Sequence, residues 1–324
     1  MKILVNGSTA YDVLLGYDGS FADAIDPSGL DSLAVSFFSP HYARHHGGTG
    51  ANIAWNLKLL GTEPMLVTTI GTDGGDYRTL LEDRDISVEY VEQLDSGATA
   101  TAIIGTDSSE RQITFFHPGA DADGSWPAYA EASAGRPDIT DRREEISHAI
   151  ISPRNAVLMM EGVRWCIKYK VPFLFDPGQQ VIGLSDDELR LGVENSFGVI
   201  ANEYEWGLIS SRLNITEESA LSKTSMVIVT RGDAGVTCFC EGGALNVGPC
   251  TPDKVVNPTG AGDAFRAGLL TGLQKGWSNI DALRLGNAMG SLAVELEGTL
   301  IDHVDRDSVW SRADSAYGES LPKL

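Results

Sequence analysis

The sequence predicts an α/β fold: a mostly parallel central β sheet with helices on both faces, giving three layers, and a small β-sheet lid. Two observations predict it. Short apolar runs alternate with amphipathic helical patterns along most of the chain, as expected for parallel strands joined by helices. One region departs from this alternation, because its strand-like segments follow each other without a helix. The chain of 324 residues is 42% apolar, which provides enough material for a buried core.

The elements are predicted in chain order. The first apolar run, in MKILVN, is too short for a signal-peptide core and predicts a β strand. The strands of the central sheet are predicted at 2–6, 65–70, 147–151, 172–176, 197–200, 225–230 and 235–240. Helices are predicted near 51–60, 76–84, 154–169, 186–195, 203–211, 216–223, 261–276 and 279–296.

The small sheet is predicted from three segments rich in β-branched and aromatic residues, at 33–39, 98–105 and 111–117. We expect one domain spanning 1–324, with a lid formed by about 13–46 and 96–118. Strand alternation sends one member of each Phe pair inward, either Phe37 or Phe38 and either Phe115 or Phe116. Which member of each pair does so stays open.

The charge balance argues against several classes of partner. The chain has 45 acidic and 24 basic residues, a net charge of −21, which disfavours binding to nucleic acid or to an anionic membrane. The four cysteines (Cys166, Cys238, Cys240 and Cys250) form no metal-binding pattern. We expect buried, unpaired thiols and a cytoplasmic location.

The stretch NPTGAGDAF at 257–265 is the most informative part of the chain. Gly260 and Gly262 permit an unusual backbone path just before a helix, where free N–H groups form an anion site. Asp263 follows in the first helical turn. It either complements the helix dipole or accepts the proton of a hydroxyl group to which a phosphoryl group is transferred. No Walker A sequence is present.

A second glycine cluster, Gly47-Gly48-Thr49-Gly50, opens the predicted helix 51–60. Its glycines let a small ligand approach the backbone, and Asn52 offers a donor and an acceptor for hydroxyl groups. The alternative is a tight turn in which Asn52 makes a packing contact.

These two stretches, HGGTGANIAWNLKLLG (46–61) and VVNPTGAGDAFRAGLLTG (255–272), resemble the two signatures of the ribokinase-like (PfkB) family of sugar and nucleoside kinases. The resemblance covers essentially the whole chain. Within the family the chain is most similar to prokaryotic adenosine-kinase-type nucleoside kinases. That similarity is carried by VSFFS (35–39), DYR (76–78), FFHPGA (115–120), DPGQQ (176–180) and NEYEW (202–206).

The resemblance implies a role for each matching residue. Asp263 is implied as the catalytic base, ionised at neutral pH, with Gly260, Ala261 and Gly262 as the anion hole. The implied nucleoside-binding residues are Ser8, Asp12, Ser36, Gly48, Asn52, Gln179 and Gln180. The implied ATP-binding residues are Asn202, Thr230, Gly232, Gly235 and Asn287, and Glu205 is implied to hold Mg²⁺ through water.

Plainer roles stay open for several of these residues. Asn202 and Glu205 have the spacing of a helix capping box. The two glutamines are equally consistent with loop surface, Thr230 with a backbone contact, and Asp12 with an ordinary loop acid. A monovalent-cation site is in doubt, because Asn257 stands where many family members carry Asp.

The resemblance implies an ATP- and Mg²⁺-dependent kinase of a nucleoside 5′-hydroxyl, with adenosine the first choice. The alternatives are a sugar kinase acting on ribose or a ketohexose, and a ligand-binding protein without activity. A homodimer formed through the lid is also expected, because a small sheet leaves one apolar face exposed.

Overall fold

The computed structural model describes residues 1–25, 34–128, 136–303 and 305–324. The strands are β1 (Lys2–Asn6), β2 (Ala10–Gly16), β3 (His41–Gly47), β4 (Pro64–Ile70), β5 (Val91–Gln93), β6 (Ala100–Thr106), β7 (Gln112–His117), β8 (Ile146–Ile151), β9 (Phe173–Phe175), β10 (Gly198–Asn202), β11 (Met226–Thr230), β12 (Val236–Cys240) and β13 (Gly243–Val247). The α-helices are α1 (Phe21–Ala24), α2 (Thr49–Leu59), α3 (Gly75–Asp83), α4 (Ala156–Tyr169), α5 (Asp186–Asn195), α6 (Glu203–Leu213), α7 (Glu217–Ala220), α8 (Ala261–Gln274), α9 (Asn279–Ala293) and α10 (Arg306–Tyr317).

The central sheet has nine strands in the order β13-β12-β11-β10-β9-β8-β1-β4-β5. All its pairs are parallel except β11–β12 and β12–β13, so the predicted fold class is confirmed. Each of the seven predicted strands is present. The two edge strands β5 and β13 were not predicted, because one has three residues and the other begins with glycine.

Helices cover both faces of this sheet, as side-chain alternation along β1 shows. Leu4 belongs to a core cluster that includes α4, α5 and α6. Its neighbours Ile3 and Val5 belong to a second cluster that includes α2 and α8. Successive side chains of a strand point to opposite faces, so these two clusters are the two interfaces of a three-layer structure. No helix among the described residues is long and apolar enough to cross a membrane.

The helix predictions hold for the long elements and fail at the carboxyl-terminal end of the chain. Asn155 caps α4 by accepting hydrogen bonds from the N–H groups of Val157 and Leu158. The predicted helix 216–223 is shorter, since α7 ends at Ala220. Helix α10 was not predicted.

All four cysteines are buried and free, as expected.

The second sheet has four strands in the order β3-β2-β6-β7, with β2 and β6 parallel and the other pairs antiparallel. The predicted strand at 33–39 is wrong: residues 34–39 are irregular, and residue 33 lies outside the described residues. Phe37 instead packs edge-on against Tyr17 and Phe21, each at a centroid distance of 5.0 Å. Strands β2 and β3 take its place. The sequence of β3, HYARHHG, has too few apolar residues to indicate a strand.

The strand register of this sheet places two rows of side chains on opposite faces. We call the row His45, Asp12, Ala102 and Phe116 the front row, because these residues are successive cross-strand partners. The adjacent row is Arg44, Val13, Ile103 and Phe115, and we call it the back row. Phe116 therefore shares the face of Asp12, whereas Phe115 points away from it.

The start of α2 packs against the connection between β1 and β2. The Ala51 N–H donates to the Ser8 carbonyl at 3.1 Å. A Cβ built on Gly50 would lie only 2.5 Å from the carbonyl carbon of Gly7, so the two backbones touch. This close approach requires a residue without a side chain at position 50.

We predict that Gly50→Ala destabilises the fold by about 1–3 kcal/mol, because the new methyl group has to displace backbone atoms. The matched control is Gly207→Ala in the interior of α6, where a Cβ meets nothing within 4 Å. There the same change removes a helix-interior glycine and stabilises by about 0.5–1 kcal/mol. Urea unfolding measures both free energies. If both variants changed the free energy of unfolding in the same direction, the close backbone contact between Gly50 and Gly7 would be contradicted.

Candidate active site

The glycine-rich start of α8, which we call the cradle, has a backbone geometry suited to an anion. Gly260 is the N-cap residue, with φ 86°, and it supplies no side-chain cap. Its left-handed backbone turns the chain so that α8 begins at Ala261, with Asp263 in the first turn. The first N–H groups of a helix have no partners within the helix, and the positive end of the helix dipole adds to their attraction for an anion.

A hydrogen bond joins this cradle to α2. Asn52 is buried in the first turn of α2, and its Nδ2 donates to Asp263 Oδ2 at 2.8 Å. Its Oδ1 lies 3.0 Å from the Thr299 hydroxyl, which also donates to the His46 carbonyl. Both ends of the Asn52 amide are therefore held. Asn52 therefore orients the Asp263 carboxylate, and the hydroxyl binding that the sequence indicated stays a prediction.

Burial changes the acidity of the two carboxyl groups at this site. It raises the pKa of Asp263 to about 7, against a lowering effect of the nearby Arg266 guanidinium and of the Asn52 hydrogen bond. The expectation of ionisation at neutral pH stays a prediction for Asp263, and a pKa of about 7 places the group close to half ionised there. Burial also raises the pKa of Asp12 to about 6. The negative charges of Asp176 and Asp12 also raise the pKa of Asp263.

Asp12 lies on the front row of the lid, packed against the glycine turn that precedes α2. A Cβ at Gly47 would lie 2.2 Å from Asp12 Oδ2, so the carboxylate occupies the space of that missing side chain. His45, which the sequence analysis missed, is its cross-strand partner. The His45 Nε2 atom is buried and has no hydrogen-bond partner in the described chain. A buried polar atom without a partner marks a place for a polar ligand.

A cavity of about 530 Å³ adjoins the cradle. Four of the five predicted ATP-binding residues line it, namely Thr230, Gly232, Gly235 and Asn287, together with Ala261 and Gly262 of the predicted anion hole; Asn202 does not. Apolar side chains such as Phe265 and Val294 line the remainder. The cavity is large enough for a nucleotide and opens directly onto the start of α8. The Thr230 hydroxyl also lies 3.5 Å from the Ala201 carbonyl, so its plainer role is compatible with this position.

Asn202 and Glu205 form the capping box of α6. Asn202 Oδ1 accepts from the Glu205 N–H at 2.8 Å, and Glu205 Oε2 accepts from the Asn202 N–H at 2.9 Å. The described residues hold no cluster of three or more metal-ligating side chains. One carboxylate oxygen of Glu205 is used in the capping box, so Mg²⁺ at this place would have to be held mainly by phosphate and water.

Asn257 does not fit a monovalent-cation site. Its Nδ2 donates to the Glu297 carbonyl at 2.7 Å, and its Oδ1 accepts from the Thr259 N–H at 3.0 Å. The amide therefore makes a hydrogen bond at each end, and its Nδ2 group cannot act as a cation ligand.

The remaining predicted nucleoside residues differ in position. Ser8 is buried beside the start of α2, and Gly48, with φ 93°, is the N-cap of that helix. Gln179 is exposed and Gln180 half-buried in a short turn after β9. Ser36 is exposed on the irregular segment before β3, and its nucleoside-binding role stays a prediction.

Two further contacts at the site were missed because they join residues far apart in the chain. Arg266 and Asp176 form a buried ion pair, with 2.6 Å between Nε and Oδ2. Thr299 holds Asn52 from a segment without a recognisable motif. Two sequence features could have indicated the Arg266–Asp176 pair: the DPG stretch at 176–178 and the position of Arg266 one turn after Asp263.

Comparison with known proteins agrees with this geometry. The pfkB family carbohydrate kinase profile matches residues 22–305. The nucleoside kinase of Methanocaldococcus jannaschii is 28% identical over 315 residues, which cover 97% of each chain. The structure of Burkholderia thailandensis nucleoside kinase in complex with inosine is 31% identical, with a TM-score of 0.87 over 98% of this chain and 99% of that chain. Its complex with ADP and inosine gives 0.85 over 99% and 98%, at the same 31% identity.

The ribokinase-like fold and the site together define a phosphotransferase with an alcohol acceptor. The chain belongs to the pfkB family of carbohydrate kinases, and it is a nucleoside or sugar kinase.

We predict that Asp263→Asn makes the protein more resistant to unfolding at neutral and alkaline pH. Because the folded-state pKa of Asp263 is raised to about 7, the wild type loses stability as the pH rises from about 4 to about 7. The variant escapes this loss, and its free energy of unfolding exceeds that of the wild type by about 1–2 kcal/mol at about pH 8.

Urea unfolding at several pH values measures this difference. It disappears below about pH 4, where Asp263 of the wild type is protonated in both the folded and the unfolded state. Asp95→Asn, at an exposed position, is the control. An Asp263→Asn variant less stable than the wild type at about pH 8 would show that Asp263 is not a destabilising buried charge.

Proposed function

We propose that this protein is an ATP-dependent nucleoside kinase that phosphorylates the ribose 5′-hydroxyl, with Asp263 as the base. The hydrogen bond from Asn52 to Asp263 carries the proposal, because it holds a carboxylate between the anion cradle and the front row of the lid. The similarity to two nucleoside kinases over nearly the whole chain supports this choice of acceptor.

The reaction follows from these positions. The acceptor oxygen attacks the γ-phosphorus of ATP and forms a new P–O bond, while its proton passes to Asp263. The bond from the γ-phosphorus to the β,γ-bridging oxygen breaks, and its electron pair leaves with ADP. The N–H groups at the start of α8, around Gly262, stabilise the negative charge on the transferred group. Mg²⁺ supplies charge neutralisation on the phosphates when it is bound.

The front row supplies the acceptor pocket. The carboxylate of Asp12 has the geometry to accept hydrogen bonds from two neighbouring ribose hydroxyls. Phe116, which is 42% exposed on the same face, offers a flat apolar surface for a nucleobase. Ala102 between them leaves room and makes no polar contact with a base. We therefore propose purine nucleosides as acceptors, with adenosine first and inosine also accepted.

We predict selective turnover of nucleosides over free sugars. ADP release is measured with ATP and Mg²⁺ across adenosine, guanosine, inosine, cytidine, ribose and fructose. Asp263→Asn is expected to lower kcat by about 10²–10⁴-fold and to leave nucleoside affinity nearly unchanged, since the base accepts the hydroxyl proton only during phosphoryl transfer. Asp95→Asn serves as the matched control.

Three outcomes separate the alternatives. Turnover of ribose or fructose alone would replace the nucleoside with a sugar and keep the base. Turnover by Asp263→Asn at near wild-type rate would remove Asp263 as the base. No ADP release with any acceptor, together with calorimetric binding of adenosine, would indicate a ligand-binding protein.

We also propose a homodimer that buries the back row of the lid. Two of its residues are apolar and well exposed, Ile103 at 41% and Phe115 at 70%. Tyr42, on the same face, is exposed at 68%. An exposed apolar sheet face of this kind is costly in water unless a second surface covers it, and an identical face is complementary in chemistry.

We predict that wild-type protein sediments as a dimer and that Phe115→Glu sediments as a monomer, because it places a charge on the buried face. Phe38→Glu is the control, since Phe38 is 83% exposed outside the small sheet. A monomeric wild type in sedimentation velocity would rule the dimer out, and a dimeric Phe115→Glu would move the interface elsewhere.

A cytoplasmic location is the third part of the proposal. The free, buried thiols of all four cysteines suit a reducing compartment, where ATP is also available.

A further inference from the structure

Arg266 is a buried cation beside the reaction centre that the steps above leave unused. It lies in the second turn of α8, and 9% of its surface is exposed. Its Nε and Nη2 donate to the two oxygens of Asp176, each at 2.6 Å, in a bidentate pair that fixes the plane of the guanidinium. The Ser152 hydroxyl donates to Asp176 at 3.0 Å, so the acceptor is held in place as well.

The third nitrogen of Arg266, Nη1, is turned toward the anion cradle. A Cβ built at Gly262 would lie 2.7 Å from Nη1, so this nitrogen lies against the first turn of α8. Helical side chains point back toward the preceding turn, which explains how position 266 reaches position 262. No hydrogen bond within the described residues uses Nη1.

This placement is unfavourable for the helix itself. The start of a helix carries a partial positive charge, so a cation there is repelled by the dipole. Asp176 offsets the repulsion, and the carboxylates of Asp263 and Glu205 also act on Arg266. The combined effect is a fixed positive charge, oriented by a buried partner, at the point where a phosphoryl group enters the cradle.

We propose that Arg266 is a catalytic residue whose Nη1 donates to a non-bridging oxygen of the γ-phosphoryl group during transfer, and that Asp176 is its positioning residue. The inference rests on the proposed function and deepens it. As the acceptor oxygen bonds to the γ-phosphorus and ADP departs with the electron pair, Arg266 keeps its protons and stabilises charge on the non-bridging oxygens. The acceptor proton goes to Asp263.

The test uses the double variant Arg266→Gln/Asp176→Asn, which removes both charges together and leaves no unpaired buried ion. We expect kcat to fall by about 10²–10³-fold, while KM for the nucleoside changes by less than about threefold. Calorimetry compares ADP with the β,γ-imido analogue of ATP, which retains a γ-phosphoryl group. The variant should bind the analogue about tenfold more weakly and ADP within about twofold of the wild type.

A double variant that folds and keeps kcat within about fivefold of the wild type would overturn the proposal. Equal weakening of ADP and of the analogue would do the same, because a merely structural role does not distinguish them. If the double variant does not fold, Arg266→Lys decides, since it keeps the charge beside Asp176 but lacks the planar third donor; unchanged turnover and analogue binding overturn the proposal. Failure of the proposed function appears separately, as a wild type without turnover, and the comparison of analogue with ADP still tests Arg266.

Discussion

The hydrogen bond between Asn52 and Asp263 is the contact on which the arrangement of the site depends. It joins the first turns of α2 and α8, two helices that begin more than two hundred residues apart in the chain, at a separation of 2.8 Å. Each helix is opened by a glycine with positive φ, Gly48 and Gly260, so that backbone rather than side chain faces the shared space. Thr299 holds the far end of the Asn52 amide, which leaves the carboxylate with one defined orientation.

The same region concentrates charge that the fold does not require. Asp12 and Arg266 are withdrawn from bulk water, Asp263 is half-buried, and burial raises the pKa of both carboxyl groups. Burying carboxylates lowers the free energy of unfolding. Proteins retain such groups at sites where the charge acts on a bound molecule. The bidentate contact of Arg266 with Asp176 limits the cost by pairing the strongest charge.

The central sheet could be predicted from the sequence because its strands are continuous apolar runs separated by amphipathic helices. The small sheet could be predicted only in part. Strand β3 is largely polar, and the apolar segment before it is irregular because Phe37 packs against Tyr17 and Phe21. At the site, motif residues were identified, since glycine spacing is local information. The contacts from Thr299, Arg266 and His45 depend on register and on long-range packing, which spacing along the chain does not contain.

The adjacent glycines 47 and 48 are required for unrelated reasons. A side chain at Gly47 would collide with the Asp12 carboxylate, at 2.2 Å, whereas one at Gly48 would meet the Ala10 nitrogen, at 2.5 Å, on a backbone with φ 93°. A change at the first position therefore displaces the Asp12 carboxylate, and a change at the second strains the main chain. In a survey of variants, substitutions at Gly47 would lower turnover, whereas substitutions at Gly48 would lower the amount of soluble protein. Comparing the two neighbouring positions therefore distinguishes inactive enzyme from unfolded chain.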